Sequence, residues 1–229
     1  MIYYGYDPTY ILVVIGFIIT LVAQLFVSSS YKKYKKINTK SGLQGFEVAR
    51  RILDKNGLNH VDIVETKGEL SDHYDPTRKV VRLSTDIYHG ATIASSSVAA
   101  HECGHAIQDK EGYFFLRLRS SLVPIVNISS KIGYFAIIIG LIFGALQLAW
   151  IGIFLELAIL LFQLITLPVE FDASKRAAVF LREEALIEAG EQQVSKKMLN
   201  AAAMTYGASV VSTLLELLRL VLIVSSRDD

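Results

Sequence analysis

Long apolar runs alternate with polar stretches along this chain, and the alternation predicts its architecture. Tyr10 to Val27 holds no charged residue and is long enough to cross a bilayer as a helix. Ile132 to Leu167 is about twice as long as one span and carries a single charge, Glu156. It predicts two spans joined by a tight turn near Gln147–Gly152, with Glu156 facing protein or water because lipid penalises its charge. Thr205 to Val224 predicts a fourth span. Glu216 and Arg219 interrupt it, three apart, where they can pair on one helix face.

Ser41 to Ile132 is soluble in character. Ser41 is a candidate cap for a helix with apolar positions Phe46, Ala49, Ile52 and Leu53, closed by Asn56-Gly57. Val61-Asp62-Ile63-Val64 alternates like a strand, and Asp75-Pro76-Thr77-Arg78 is a turn leading into a second strand, Lys79 to Ser84. Ala91 to Ala100 lacks Pro and Gly and is rich in small residues, as a closely packed helix requires. Gly112, Tyr113-Phe114-Phe115, Arg117, Arg119 and Lys131 suit a segment lying along the membrane interface before the next span. Further on, Leu181 to Glu188 predicts an amphipathic helix ended by Gly190. Gln192 to Asn200 restarts a helix that runs into the last span.

Charge and composition narrow the class. The chain has 229 residues, 52% of them hydrophobic, and a net charge of +1, so neither a nucleic-acid footprint nor an acidic partner is implied. One cysteine, Cys103, rules out an internal disulfide framework and fits a reducing compartment. Met1 to Thr9 contains no Lys or Arg, so the first span reads as a retained anchor and not as a secretory signal peptide. Tyr31-Lys32-Lys33-Tyr34-Lys35-Lys36 follows it directly. The positive-inside rule puts that cluster in the cytoplasm and the N-terminus outside, with lipid head-group attraction as the role of the lysines. The tail from Ser225 to Asp229 then also lies outside.

The chemistry concentrates in His101-Glu102-Cys103-Gly104-His105. Residues four apart share a helix face, so both imidazoles can aim a nitrogen at one point, as a tetrahedral zinc requires. Glu102, one step round, can take the proton of a water attacking a carbonyl. This is the zincin signature. Its helix is the reference for the strands: an open edge at Lys79–Ser84 would bind substrate backbone by β-augmentation through Val80, Val81 and Arg82, and a plain hairpin covering the helix is the alternative. His60, His73 and His89 read as surface or hydrogen-bonded histidines. His73, beside Asp75, is the one that could contribute to substrate binding.

A catalytic zinc needs a third protein ligand and an open position for water. Pro168-Val169-Glu170-Phe171-Asp172-Ala173-Ser174 follows the hairpin. If Glu170 opens a helix, its face carries Ala173, Ser174, Ala177 and Ala178, small enough for close approach to the motif helix. Glu170 is the first candidate and Asp172 the second; carboxylate capping of a helix N-terminus is the alternative role for either. Tyr206, at the mouth of the last span, is a candidate oxyanion donor or an interfacial anchor.

These residues carry a resemblance. The zinc motif, two spans and then Glu170 to Ser174 resemble the membrane gluzincin proteases of the HtpX and CAAX-prenyl type. More closely, Asp72 to Pro76, Val80 to Ser84, Ala100 to Gln108 and Pro168 to Ser174 resemble the YugP-like neutral zinc metallopeptidases, over nearly the whole chain. The resemblance implies Glu170 as third ligand. The aspartate that supports a zinc-binding histidine in the HtpX-type pattern is Ser174 here, so Ser174, Asp109 and Asp172 are the candidates for that supporting role.

The combined expectation is a mainly α integral membrane protein with about four transmembrane helices and a small α+β zincin-like cytoplasmic catalytic domain. Its parts are an anchor over residues 1–30, a zincin-like region over 31–131, a membrane hairpin over 132–168, a ligand helix with cytoplasmic helices over 169–204, and a last span with tail over 205–229. The implied activity is a cell-membrane, multi-pass metallopeptidase. It holds one zinc per chain at His101, His105 and Glu170, with Glu102 as general base, and acts on membrane proteins or peptides at the bilayer. A membrane scaffold with a non-catalytic zinc site, or a zinc hydrolase of a non-peptide bond, are the competing classes.

Overall fold

The computed structural model describes residues 7–228. Met1 to Tyr6 and Asp229, the ends of the predicted outer segment and tail, lie outside the described residues. In chain order the elements are α1 (Tyr10–Tyr34), α2 (Gly45–Lys55), β1 (Asp62–Thr66), β2 (His73–Asp75), β3 (Val80–Ser84), α3 (Thr85–His89), α4 (Ile93–Glu111), α5 (Phe114–Phe143), α6 (Leu146–Glu183) and α7 (Ala189–Asp228). The protein is a mainly α molecule with one small sheet. Four helices, α1, α5, α6 and α7, are long and apolar enough to cross a membrane.

The chain divides into two compact bodies. The first gathers residues up to Gln24, Leu118–Thr166 and the stretch from Thr205 onward. It is made of the apolar parts of the four long helices. Its hairpin turns at Gly144, whose φ of 69° suits glycine, and not at the predicted Gln147–Gly152. The later stretch is instead the first turns of α6. Residues 114–131, expected to lie along the membrane surface, begin the same helix that continues as α5. Arg219 reaches Glu216 at 3.3 Å, as expected, and also lies over the Tyr10 ring.

The second body comprises Leu25–Arg117 and Leu167–Met204. Its core is one cluster built round α4. Thr92 caps that helix by accepting from the Ser95 N–H at 3.1 Å, and Gly112 ends it. The small residues of α4 let neighbours close in on most of its faces: Val48, Ala49, Ile52 and Leu53 from α2, Val81 and Leu83 from β3, Ile87 from α3, Ala177 and Leu181 from α6, Met198 and Leu199 from α7. Ile52, Leu53, Leu83 and Ile87 are fully buried, and each such side chain contributes about 1.5–3 kcal/mol.

The sheet order is β1-β3-β2, with β1 parallel to β3 and β2 antiparallel to it. β2 falls where the sequence pattern showed only a polar cluster and a turn. Ser41 does not cap α2: its hydroxyl donates to the Leu186 carbonyl at 2.8 Å, and Gln44 takes the cap position, its N–H donating to Glu47. Leu181 to Glu188 is not a helix of its own, because α6 runs on to Glu183 and the chain turns at Ala185 with φ 50°. Gly190 accordingly sits in the first turn of α7 and ends nothing. Lys35 is more than a lipid-facing charge, since it forms ion pairs with Glu69 and Asp86.

The contact of α4 with α6 leaves no room for a side chain at Gly104. A Cβ there would sit 2.8 Å from the Ala173 carbonyl oxygen and 3.1 Å from its Cα. Gly104→Ala should therefore lower the thermal unfolding midpoint of the purified protein, with a cost of about 1–3 kcal/mol. Gly190→Ala, where nothing lies within 4 Å, should leave it unchanged or raise it. An unshifted midpoint for Gly104→Ala would show that this approach does not constrain the fold.

Candidate metal centre

The site is built by two helices of the second body. α4 presents His101 and His105 one turn apart, and α6 brings Glu170 against them. His101 Nε2 lies 3.2 Å from His105 Nε2. Glu170 Oε2 lies 3.3 Å from His101 Nε2 and 3.7 Å from His105 Nε2. Donors at zinc–ligand distances of about 2.0–2.1 Å in a tetrahedron stand about 3.3 Å apart, so this triangle has the size of three corners of such a site. Among the described residues, these three are the group of His, Cys, Asp and Glu side chains close enough to share an ion. With both imidazoles neutral the set carries one negative charge, which calls for a cation at its centre.

Glu170 is 4% exposed. Burial opposes its charge, but hydrogen bonding with His101 and His105 outweighs this and holds the carboxyl well below the usual carboxylate range. Burial likewise opposes charge on His105, but the nearby carboxylates of Glu170, at 3.7 Å, and Glu102 carry it above its ordinary value. The donor set is thus poised to hold positive charge.

The outer nitrogens of both histidines are engaged. Ser174 Oγ lies 3.2 Å from His101 Nδ1, on the side of the ring away from the other donors. Gln108 Oε1 lies 3.0 Å from His105 Nδ1, while Gln108 Nε2 donates to the Val169 carbonyl at 2.8 Å and to Asp172 at 2.9 Å. Two oxygen acceptors on the amide nitrogen fix the amide's orientation, so its oxygen must accept from His105 Nδ1–H. That leaves the Nε2 lone pair of His105 directed at the other donors. Glu102, 7% exposed, is buried directly after His101 on α4.

Family membership is decided here. The chain matches over residues 9–225 the model of the family described as "Putative neutral zinc metallopeptidase". It belongs to that family. It is also 47% identical over 208 residues to the "Putative membrane protease YugP" of Bacillus subtilis (strain 168), which covers 90% of this chain and 92% of that protein. No solved structure matches. With four apolar helices and this relative, the family member described here is a membrane protein. Zinc is the metal that the family description implies, and His101, His105 and Glu170 fit it in donor type and spacing.

The other expected site residues of this metallopeptidase-family chain fall as follows. Asp172 is not within the donor group; it stands behind His105, reached through Gln108, and pairs with Arg176 Nε at 2.6 Å. Asp109 does not support a histidine, because it accepts from the Tyr74 hydroxyl at 2.7 Å and from Lys79. That bond ties the β2–β3 hairpin to α4 instead. Val80, Val81 and Arg82 do not form an open edge: β3 is the central strand, paired with β1 on one side and β2 on the other. His73 lies on the edge strand β2, exposed, its Nδ1 2.8 Å from the Ser71 carbonyl. Tyr206 belongs to the first body. Cys103 is buried against the Ala49 carbonyl, and burial pushes its thiol up.

Two contributors were not read from the sequence. Gln108 could have been found from its spacing, three residues beyond His105 and hence on the same helix face. Asp72 could not: it folds back to take the Ser84 N–H at 2.7 Å, and it is pushed up chiefly by burial, with the charge of Glu102 adding to the effect. If Gln108 fixes the His105 tautomer, Gln108→Ala should weaken zinc affinity about 10–100-fold, read by chelator competition. Asp109→Asn should leave it within about twofold, since its partners lie outside the donor set. Equal losses in both variants would mean that the effect is general to α4.

Proposed function

We propose that this protein is a membrane-embedded, zinc-dependent peptidase that hydrolyses peptide bonds with Glu102 as general base. The observation that carries the reading is the convergence of His101, His105 and Glu170 beside the buried Glu102. Zinc, when bound, polarises a scissile carbonyl and makes water nucleophilic near neutral pH. The chain's own residues do the rest. His101 and His105 offer Nε2 and Glu170 one carboxylate oxygen, with Ser174 and Gln108 holding the rings in orientation. Glu102 takes the proton from the attacking water and passes it to the leaving amine. Three protein donors among the described residues, against the four usual in a structural site, favour catalysis over a scaffold role.

A cavity of about 420 Å³ opens beside Ser174, lined among others by Phe171, Lys175, Gln192 and Lys196. None of the three donors lines it; it adjoins the centre through Ser174, on the Nδ1 side of His101, and is the nearest room for a substrate chain along α6. Of the two edge strands, β1 and β2, the one tied to α4 through Tyr74 and Asp109 is β2, and its outer edge offers backbone groups for a substrate strand to pair with. Four apolar helices on the same chain favour membrane proteins, or peptides near the bilayer, as substrates. The lysines that follow the first span favour a cytoplasmic site.

Zinc content and peptide cleavage measured on the same detergent-purified samples test the mechanism. Wild type should hold about one zinc per chain. Glu102→Gln should keep the metal and lose cleavage by about 10²–10⁴-fold or more; Glu170→Ala should lose both. Tyr206→Phe in the same panel tests whether that hydroxyl donates to the developing oxyanion, by loss of rate with metal retained. Zinc bound normally by Glu170→Ala would remove Glu170 from the ligand set. Cleavage of lipid amides in place of casein-like peptides would assign the site to a non-peptide bond.

Sidedness has its own test. With a membrane-impermeant maleimide on intact cells, Ser226→Cys should label and Lys36→Cys should not until the cells are opened. Cys103, buried, supplies no background. The reverse pattern would place the metal centre outside.

A further inference from the structure

A cleft of about 440 Å³ lies between the C-terminal end of α1 and the N-terminal part of α7. Its apolar wall is Phe26 and Met204, 47% and 56% exposed. Its polar wall is Lys33, Lys197, the hydroxyls of Ser29 and Ser30 and the Asn200 amide. No acidic side chain lines it, and among the described residues neither Lys33 nor Lys197 is in an ion pair. By contrast Lys35, in the same basic cluster, is held by Glu69 and Asp86.

The position of the cleft along each helix is informative. On α1 it begins at Phe26, where the uncharged run that ends at Val27 gives way to serines and lysines. On α7 it ends at Met204, directly before the apolar run that begins at Thr205. Both helices thus change from hydrocarbon-compatible to polar composition at this cleft, with bulky apolar side chains toward the span and ammonium groups away from it. Two cations outside any ion pair, Lys33 resting over the Tyr34 ring at 5.5 Å, together with the Ser30 hydroxyl, the Asn200 amide and an adjoining apolar wall, match one molecule with a phosphate and acyl chains.

We propose that this cleft binds one anionic phospholipid, its phosphodiester between Lys33 and Lys197 and an acyl chain along Phe26 and Met204. Charge complementarity selects an anionic head group, and the apolar wall selects a lipid over free phosphate. The cleft contains none of His101, His105 and Glu170; of its residues only Asn200 also lines the cavity beside Ser174.

The test is native mass spectrometry of the full chain in detergent, titrated with phosphatidylglycerol, with phosphatidylcholine of the same acyl chains, and with inorganic phosphate as competitor. Phosphatidylglycerol should give one tight adduct, favoured about tenfold or more over phosphatidylcholine. Lys33→Ala/Lys197→Ala should weaken it about thirtyfold, as expected for two lysines near one anionic group. Lys32→Ala/Lys36→Ala, which removes the same charge outside the cleft, should change it less than about twofold. All four lysines are exposed, so packing survives, and Lys33→Gln/Lys197→Gln should reproduce the loss. Equal weakening by the two alanine pairs, phosphatidylcholine binding as tightly, or displacement by phosphate alone would each overturn the proposal.

Discussion

Everything at the metal centre depends on how closely α4 and α6 approach. Gly104 lies against the backbone of Ala173, with Ala177 buried one turn further along α6. At that separation a glutamate on α6 reaches two imidazoles on α4. One added methyl would widen the gap, and the Glu170 carboxylate would then be buried without its partners. An isolated buried carboxylate costs several kcal/mol, more than most single packing contacts return. The small residues of the two helices are therefore part of the site as much as its ligands are, because they decide whether the donors meet.

The electrostatics follow from that proximity. Three donors at 3.2, 3.3 and 3.7 Å leave little room for anything but a shared positive charge. Behind them a connected polar series runs His105 to Gln108, Gln108 to Asp172, Asp172 to Arg176, and Arg176 to Glu111 at 2.8 Å. Each buried polar group along it has a partner, and the series ends at the half-exposed Glu111 where water can take over. Ser174 supports His101 without a charge of its own. The acid in this outer layer, Asp172, stands behind His105 and reaches it through the neutral Gln108. Asp172 supports the other histidine, and at one remove.

The parts that were legible in the sequence are those set by local period and composition. The helical spacing of His101 and His105, the uncharged runs of the spans and the Asn56-Gly57 helix end all read directly, because the physics that fixes them acts within a few residues. Glu170 was reachable by its alanine face together with the family resemblance. What failed depended on distant partners. Ser41 looked like a cap, but the Leu186 carbonyl, 145 positions away, claims its hydroxyl. Asp109 looked like a histidine support, but Tyr74 and Lys79 take it. The strand at Val80 looked like an edge because β2 is three residues long, too short for periodicity to register. The hairpin turn was misjudged because Gly144-Ala145 carries no polar residue to mark it, whereas Gln147 does.

A last constraint comes from chain continuity. Glu170 does not open a helix of its own; it sits inside α6, which begins at Leu146 in the apolar run and continues unbroken past the ligand to Glu183. Pro168 stands in this helix just before the ligand. Its missing N–H deprives Leu164 of its usual backbone donor, a local weakness that membrane helices tolerate when other groups compensate. Within the second body the ligand turn is held by Val169, Ala173, Ala177 and Leu181, all fully buried and each four residues beyond the last, so they share one face of α6. Glu170 follows directly on the first of them. The height of its carboxylate against the two imidazoles is therefore set by how this face packs, and no loop sequence can adjust it as it could adjust a ligand on a free-standing helix.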